Sequence, residues 1–303
     1  MLFQHIKNYI DYMRVEKGAS KLTLLGYKTD LMQFVNHIAQ RYDVPKEELS
    51  LKMLNHKSVR EYLGDMQERN LSRATMARKL AALRSYVKYL CRENILESNP
   101  IAEVSTPRQD KKLPKFLYSQ EIELLMKAPD TSLPLGRRDK AILETLYAAG
   151  LRVSELVSMD LKDIDFEERL IKIKGKGGKE RIVPLGSKAA QALGIYIAKT
   201  RQKLVLKAGN AEDAVFLNKF GSRLSDRSVR NIINKYVEQV AINQKISPHT
   251  LRHTFATHLL NKGADLRSVQ ELLGHVKLST TQIYTHLTRD SIKTIHNDTH
   301  PRR

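Results

Sequence analysis

The stretch SPHTLRHTFATHLLNKG (residues 247–263) brings together groups that can hold an anion. Ser247 has the side chain of a helix cap, Pro248 fits a first helical turn, and Gly263 suits the end of that helix. His249 and Arg252 stand three apart, so they share one helix face. That face lies beside the helix N-terminus, where unpaired N–H groups favour negative charge. A guanidinium fork and an imidazole at that point suit a phosphate. His249 and His253 are also four apart, as in a zinc helix, but Thr250 stands where a zinc protease needs Glu, and Arg252 repels a cation. On this segment alone, a solvated His and Arg face is the competing reading.

Two further segments carry polar chemistry. KGKGGKERIVPL places Lys176 and Lys179 in a glycine-rich turn, followed by Arg181. It is not an ATP-binding P-loop: Glu180 occupies the Ser/Thr place after the lysine, and a strand pattern follows instead of a helix. Such a turn either delivers Lys176 to a substrate or is a surface hairpin, and its sequence alone leaves both open. In ELLGHVKLSTTQIYTHL, Gly274 ends a helix and puts His275 just beyond it. Ser279 and Gln282 have capping-box spacing, which predicts a short helix bearing Tyr284. A lone tyrosine is more often a packing residue, and this segment does not decide otherwise.

Composition narrows the class. Lys and Arg total 52 against 33 Asp and Glu, a net charge of +19. Such a surplus favours a polyanionic partner, above all nucleic acid. It is uneven: residues 1–107 hold 17 basic and 12 acidic residues, residues 108–303 hold 35 and 21. The later part is therefore expected to carry most phosphate contact. A single cysteine, Cys91, excludes an internal disulfide and fits a reducing cytoplasm. The apolar runs are short and broken by charge, which predicts no membrane span and makes the N-terminus a poor signal peptide.

These residues need elements to hold them. Ser20 predicts the cap of a helix whose buried stripe is Leu24, Tyr27, Leu31, Phe34 and Ile38. Met76, Leu80, Leu83, Val87 and Leu90 make a second stripe. Arg73, Arg78, Lys79, Arg84 and Lys88 cover the rest of that helix, which reads either as a solvated face or as a surface laid on DNA. VSTPRQDKKLPKFL (104–117) reads as a linker region, with two prolines and a charge run. Beyond it, helices are expected from Ser119, over 138–149 up to Gly150, and again through LRVSELVSM. Leu170–Ile173 and Arg181–Val183 alternate as a hairpin. The expected fold is mainly α: an all-helical domain over 1–107, a linker over 108–113, and a mainly helical domain over 114–303 with a small antiparallel sheet and a tail over 289–303.

Together the motifs GLRVSEL (150–156), GKGGKER (175–181), HTLRHTFATHLL (249–260), LLGH (272–275) and IYTH (283–286) resemble the tyrosine recombinase family, the phage integrase-like enzymes. SKLTLLGYKTDLMQF and TMARKLAALRSYVKYL look like that family's core-binding helices, and the ending HNDTHPRR is similar to tails of the bacterial Xer group. The resemblance covers nearly the whole chain. It implies a SAM-like core-binding domain followed by a catalytic domain. It implies Tyr284 as nucleophile, forming a 3′-phosphotyrosyl link and releasing a 5′-hydroxyl. Arg152 and Arg252 would clamp the phosphate, with a hydrogen bond from His275. Lys176 would protonate the leaving oxygen, and His249 would act as general base. Arg73, Arg78, Lys79, Arg84, Lys179 and Arg181 are expected on DNA. The resemblance implies no metal or other cofactor. It implies a tetramer on double-stranded DNA acting through a Holliday junction, of identical chains or shared with a second recombinase. A DNA translocase is a further expected partner, and the cytoplasm, on the nucleoid, the expected location. Resolution of chromosome dimers at cell division is the expected role. The alternatives are a phage or transposon integrase, a type IB topoisomerase-like enzyme, and a DNA-binding protein without catalysis.

Overall fold

A computed structural model describes residues 2–108, 116–175, 180–208, 213–242, 246–274, 296 and 298–302. The chain divides into two compact units, Met1–Lys112 and Leu113–Arg303. Among the described residues no helix is long and apolar enough to cross a membrane.

Among the described residues the first unit has four α-helices, α1 (Leu2–Val15), α2 (Lys21–Tyr42), α3 (His56–Glu68) and α4 (Arg73–Arg92), with two short 3-10 turns between α2 and α3. Each of the last three is started by a side chain that satisfies an otherwise orphaned N–H. Ser20 accepts from Thr23 N–H, Asn55 from Ser58 N–H, and Ser72 from Thr75 N–H. The apolar stripes then face inward. Leu31, Phe34 and Ile38 of α2 meet Leu80, Leu83, Val87 and Leu90 of α4 in one core, with Tyr9 and Tyr86 packed edge to face.

The second unit is helical around one small sheet. Its helices are α5 (Ser119–Lys127), α6 (Pro134–Ala148), α7 (Val153–Ser158), α8 (Ser187–Tyr196), α9 (Gln202–Ala208), α10 (Asp226–Gln239), α11 (Pro248–Asn261) and α12 (Leu266–Leu273). The strands β1 (Ile164–Asp165), β2 (Leu170–Lys174) and β3 (Glu180–Pro184) form an antiparallel sheet in the order β1-β2-β3. Ile171 pairs with Val183 and Ile173 with Arg181, which puts Ile171, Ile173 and Val183 into the core. The central helix is α6, buried at every residue from Ala141 to Ala148. It begins at Pro134, four residues before the expected start, because Pro134 supplies a preset first turn.

Gly150 turns the chain out of α6 with a φ of +56°, and a Cβ there would stand 2.5 Å from the Phe255 ring. Both backbone and space therefore require glycine between α6 and α7.

Candidate active site

Arg152 is the N-cap residue of α7. It is held by Glu155, three residues on. The Arg152 N–H donates to Glu155 Oε2 at 2.9 Å and its Nη1 donates to Oε1 at 2.7 Å. The capping box thus fixes the guanidinium as well as the helix start. The Arg152 side chain remains 43 % exposed, so its charge faces outward.

Glu155 itself is 4 % exposed and gathers more than one cation. Arg181, on β3, donates to both carboxylate oxygens at 2.8 Å. Arg252, on α11, has its Nη1 3.8 Å from Oε2. Burial pushes the Glu155 carboxyl up. The hydrogen bonds from Arg181 and from Arg152 outweigh it and bring the pKa down to about 2. Arg252 moves the other way, down to about 10, because it is buried and then because Arg152 is near. It stays a cation at neutral pH. Three guanidiniums against one carboxylate leave a surplus of two positive charges at this point.

The same three arginines cap the C-terminal end of α12. Arg181 Nε donates to Leu272 O at 3.0 Å, Arg252 Nη2 donates to Leu273 O, and Arg152 Nη2 reaches Gly274 O at 3.5 Å. Arg252 Nη1 also donates to Gly150 O at 2.6 Å. The last carbonyls of a helix lack intrahelical partners and carry its negative pole, so three cations fit there. Gly274 turns the chain with φ +64°, and a Cβ would press within 3.1 Å of the Arg181 side chain. The chain leaving this turn is His275.

His249 is exposed on the first turn of α11, one turn before buried Arg252. Ser247 caps that helix and Pro248 starts it, as their types predict. Arg152 and Arg252 are thus brought together by α7, α11 and α12. Lys176, Lys179, His275 and Tyr284 lie outside the described residues.

The expected DNA-contacting residues divide. Arg78 is 56 % exposed and pairs with Asp30. Lys79, however, is buried at 6 %, held by Asp30 Oδ1 at 3.4 Å and by Gln33. Arg84 donates to Thr106 at 2.5 Å and to Val104 O, which ties α4 to the segment that follows it. Arg73 reaches Arg108 O at 3.5 Å. Arg181 is 14 % exposed and bound as described. Lys79 and Arg181 each hold a buried carboxylate inside their own unit.

Two features escaped the sequence reading. Glu155 was visible only as the third residue after Arg152. The other is how the tail is held, since its only aliphatic residues are Ile292 and Ile295. His296 bonds Ala148 O at 2.9 Å and stacks on His300, which lies against Tyr147 and Phe255. Arg302 Nε donates to buried Glu144 at 2.8 Å. Imidazole rings and one buried ion pair supply the anchoring that an apolar count overlooks.

The model of the phage integrase family matches residues 115–290, and that of the phage integrase N-terminal SAM-like domain matches residues 6–94. A tyrosine recombinase XerC from Pelotomaculum thermopropionicum is 51 % identical over 303 residues, covering 99 % of each chain. Among solved structures, the XerH site-specific recombinase bound to palindromic difH substrate aligns with a TM-score of 0.69 at 23 % identity, over 95 % of this chain and 78 % of that one. A lambda integrase tetramer bound to a Holliday junction aligns with a TM-score of 0.66 at 18 % identity, over 95 % and 80 %. The chain belongs to the phage integrase family and is a site-specific DNA recombinase of the tyrosine type.

Proposed function

We propose that this recombinase resolves chromosome dimers at cell division, working on the nucleoid in the cytoplasm. Its XerC relative at 51 % identity supports that role. In each strand exchange Tyr284 attacks the scissile phosphate. The P–O5′ bond breaks, a 3′-phosphotyrosyl bond forms, and the 5′-oxygen leaves as a hydroxyl. His249 accepts or steers the tyrosine proton and Lys176 supplies the proton to the 5′-oxygen. Arg152 and Arg252, with His275, hold the non-bridging oxygens, where charge builds in the transition state. The phosphotyrosyl bond conserves the phosphodiester energy, so a 5′-hydroxyl from a second duplex can reverse the attack. No ATP is consumed.

The observation that carries this reading is the cluster around Glu155. Arg152 and Arg252 converge at the chain turn that leads into His275, with two positive charges in excess. A phosphodiester carries one negative charge, and its pentacoordinate transition state carries two.

Two duplexes exchanged at four strands need four active sites. We infer a tetramer on DNA, of one chain or shared with a second recombinase, with a translocase acting upstream. The 1–107 domain would clamp one side of the site, the 114–303 domain would carry the chemistry, and 108–113 would link them. The lambda integrase neighbour is such a tetramer on a Holliday junction. The test is to recover the genomic DNA that becomes covalently attached to the protein, then incubate two differently labelled duplexes of that sequence with it. A four-way junction joining both labels is expected. Relaxation of supercoils without any junction would instead mean topoisomerase action, and a site inside a mobile element would mean an integrase.

A further inference from the structure

Arg181 is placed unlike a residue that reads DNA and unlike one that merely fills space. Its side chain contacts two parts of the proposed machinery, and its strand follows a third. It lies on β3, the strand that follows the turn bearing Lys176. Its two terminal nitrogens grip both oxygens of Glu155, the carboxylate that orients Arg152. Its Nε holds Leu272 O, at the end of the helix that leads to His275. Gly274 leaves the space that its Cδ, Nε and Nη1 occupy. Removing Arg181 would leave Glu155 buried with Arg152 and with Arg252 at the longer distance of 3.8 Å.

The chemistry explains why an arginine is used. A carboxylate held by a two-pronged guanidinium has a fixed plane, whereas an ammonium is a point charge that leaves the plane free to turn. If the Glu155 plane turns, the Arg152 fork turns with it, because Arg152 is bonded to the same Oε1. The α12 end, released from Nε, also shifts relative to α7. Phosphoryl transfer is sensitive to such displacements, since its catalysis is mostly positioning and charge stabilisation.

We propose that Arg181 is a positioning residue for strand cleavage. By locking Glu155 and the α12 carboxyl end together, it sets the Arg152 fork and the turn into His275 around the scissile phosphate. This rests on the reading of Arg152 and Arg252 as the phosphate clamp and of Tyr284 as the nucleophile.

The test uses the full chain and a nicked duplex of the covalently captured sequence, with either an ordinary phosphodiester or a methylphosphonate at the scissile position. Tyr284 attacks and the P–O5′ bond breaks in both. The methylphosphonate carries no charge and depends less on a cationic clamp. Arg181→Gln is expected to form the covalent adduct about 10²-fold more slowly than the unsubstituted protein on the phosphodiester, the scale of a small misplacement. On the methylphosphonate that ratio should move most of the way back to one. Arg181→Lys keeps the charge without the fork and should show the same pattern. It also carries the test if the Gln variant does not fold, as judged by its thermal midpoint. A variant as fast as the parent on the phosphodiester, or equally slowed on both duplexes, overturns the proposal, the second result marking a purely structural residue. Failure of the underlying reading is separate: the unsubstituted protein would then form no adduct on either duplex.

Discussion

Two buried carboxylates in this molecule, Asp30 in the first unit and Glu155 in the second, are each surrounded by cations, and they end with different consequences. Asp30 meets Arg78 and Lys79, with Gln33 sharing the lysine. There the lysine is buried inside the helix pair α2 and α4, and the surplus is a single positive charge, on exposed Arg78, against two at Glu155. Glu155 meets three arginines, each of which also holds a backbone carbonyl at the end of α12. Charge remains in excess there, and Arg152 shows it to solvent. A basic residue beside a buried acid is therefore not enough to mark a site. A surplus of fixed guanidiniums at a helix carboxyl end, with one of them exposed, is a stronger sign.

The comparison can be broken in order of expected effect. Lys176→Ala should slow cleavage by roughly 10²–10⁴-fold, the range for a lost general acid. A 5′-bridging phosphorothiolate, whose sulfur leaves without a proton, should restore most of the rate. No restoration would mean that Lys176 only binds. Arg252→Lys keeps a charge but cannot hold Gly150 O and Leu273 O together, and should cost about 10²–10³-fold in adduct formation at saturating DNA, the scale of a lost oxyanion donor. Near-parental rates there would remove Arg252 from the clamp.

The first unit should respond differently. Lys79→Met should lower stability by about 1–3 kcal/mol, because Asp30 and Gln33 lose a buried partner. It should leave the salt dependence of DNA binding unchanged. Lys88→Ala, an exposed position on the same helix, should reduce the slope of log affinity against log salt by about 0.9 if it meets one phosphate. A reduced slope for the Lys79 variant would mean that the buried lysine reaches DNA after all.

The smallest expected effect is at the tail. Burial, followed by repulsion from His296, holds His300 well below its usual pKa of 6.5, with His258 and Arg302 also nearby. A docked tail therefore keeps His300 neutral, while a released tail takes up a proton below that pH. Docking is at full strength above pH 6.5 and weakens as the pH falls through it. Glu144, bound to Arg302 and Lys140, remains to oppose release. The protection of the backbone amides of Asp298, Thr299, His300 and Arg302, taken relative to the unprotected exchange rate at each pH, should fall several-fold from about pH 7.5 to about pH 5.5. Unchanged protection would show that the imidazoles do not govern docking.

Much of this was legible in the sequence where one local rule decides a position. Ser20 and Ser247 cap helices because their hydroxyls reach the third N–H on, and the apolar stripes of α2 and α4 follow from helical spacing. Gly150 and Gly274 end helices with positive φ, as their placement predicts. The sign of burial for a charged residue was not legible. Lys79 stands three residues after Met76 and four before Leu83, beside the buried stripe, and the partner that lets a lysine stay there, Asp30, is on another helix. Arg181 gives no local sign of its partners, because Glu155 and Leu272 lie 26 and 91 residues away. The tail's partners are hidden for the same reason, since Ala148 and Glu144 lie about 150 residues before it.

The central claim is that Tyr284 carries the DNA in the covalent intermediate. The direct measurement is to trap the adduct on a nicked duplex, digest it, and find by mass spectrometry which residue bears the nucleotide. The expected result is a nucleotide on Tyr284 alone, with Tyr284→Phe still binding the duplex but forming no adduct that survives detergent. A nucleotide on any other side chain, or an adduct that persists in the Phe variant, would contradict the account.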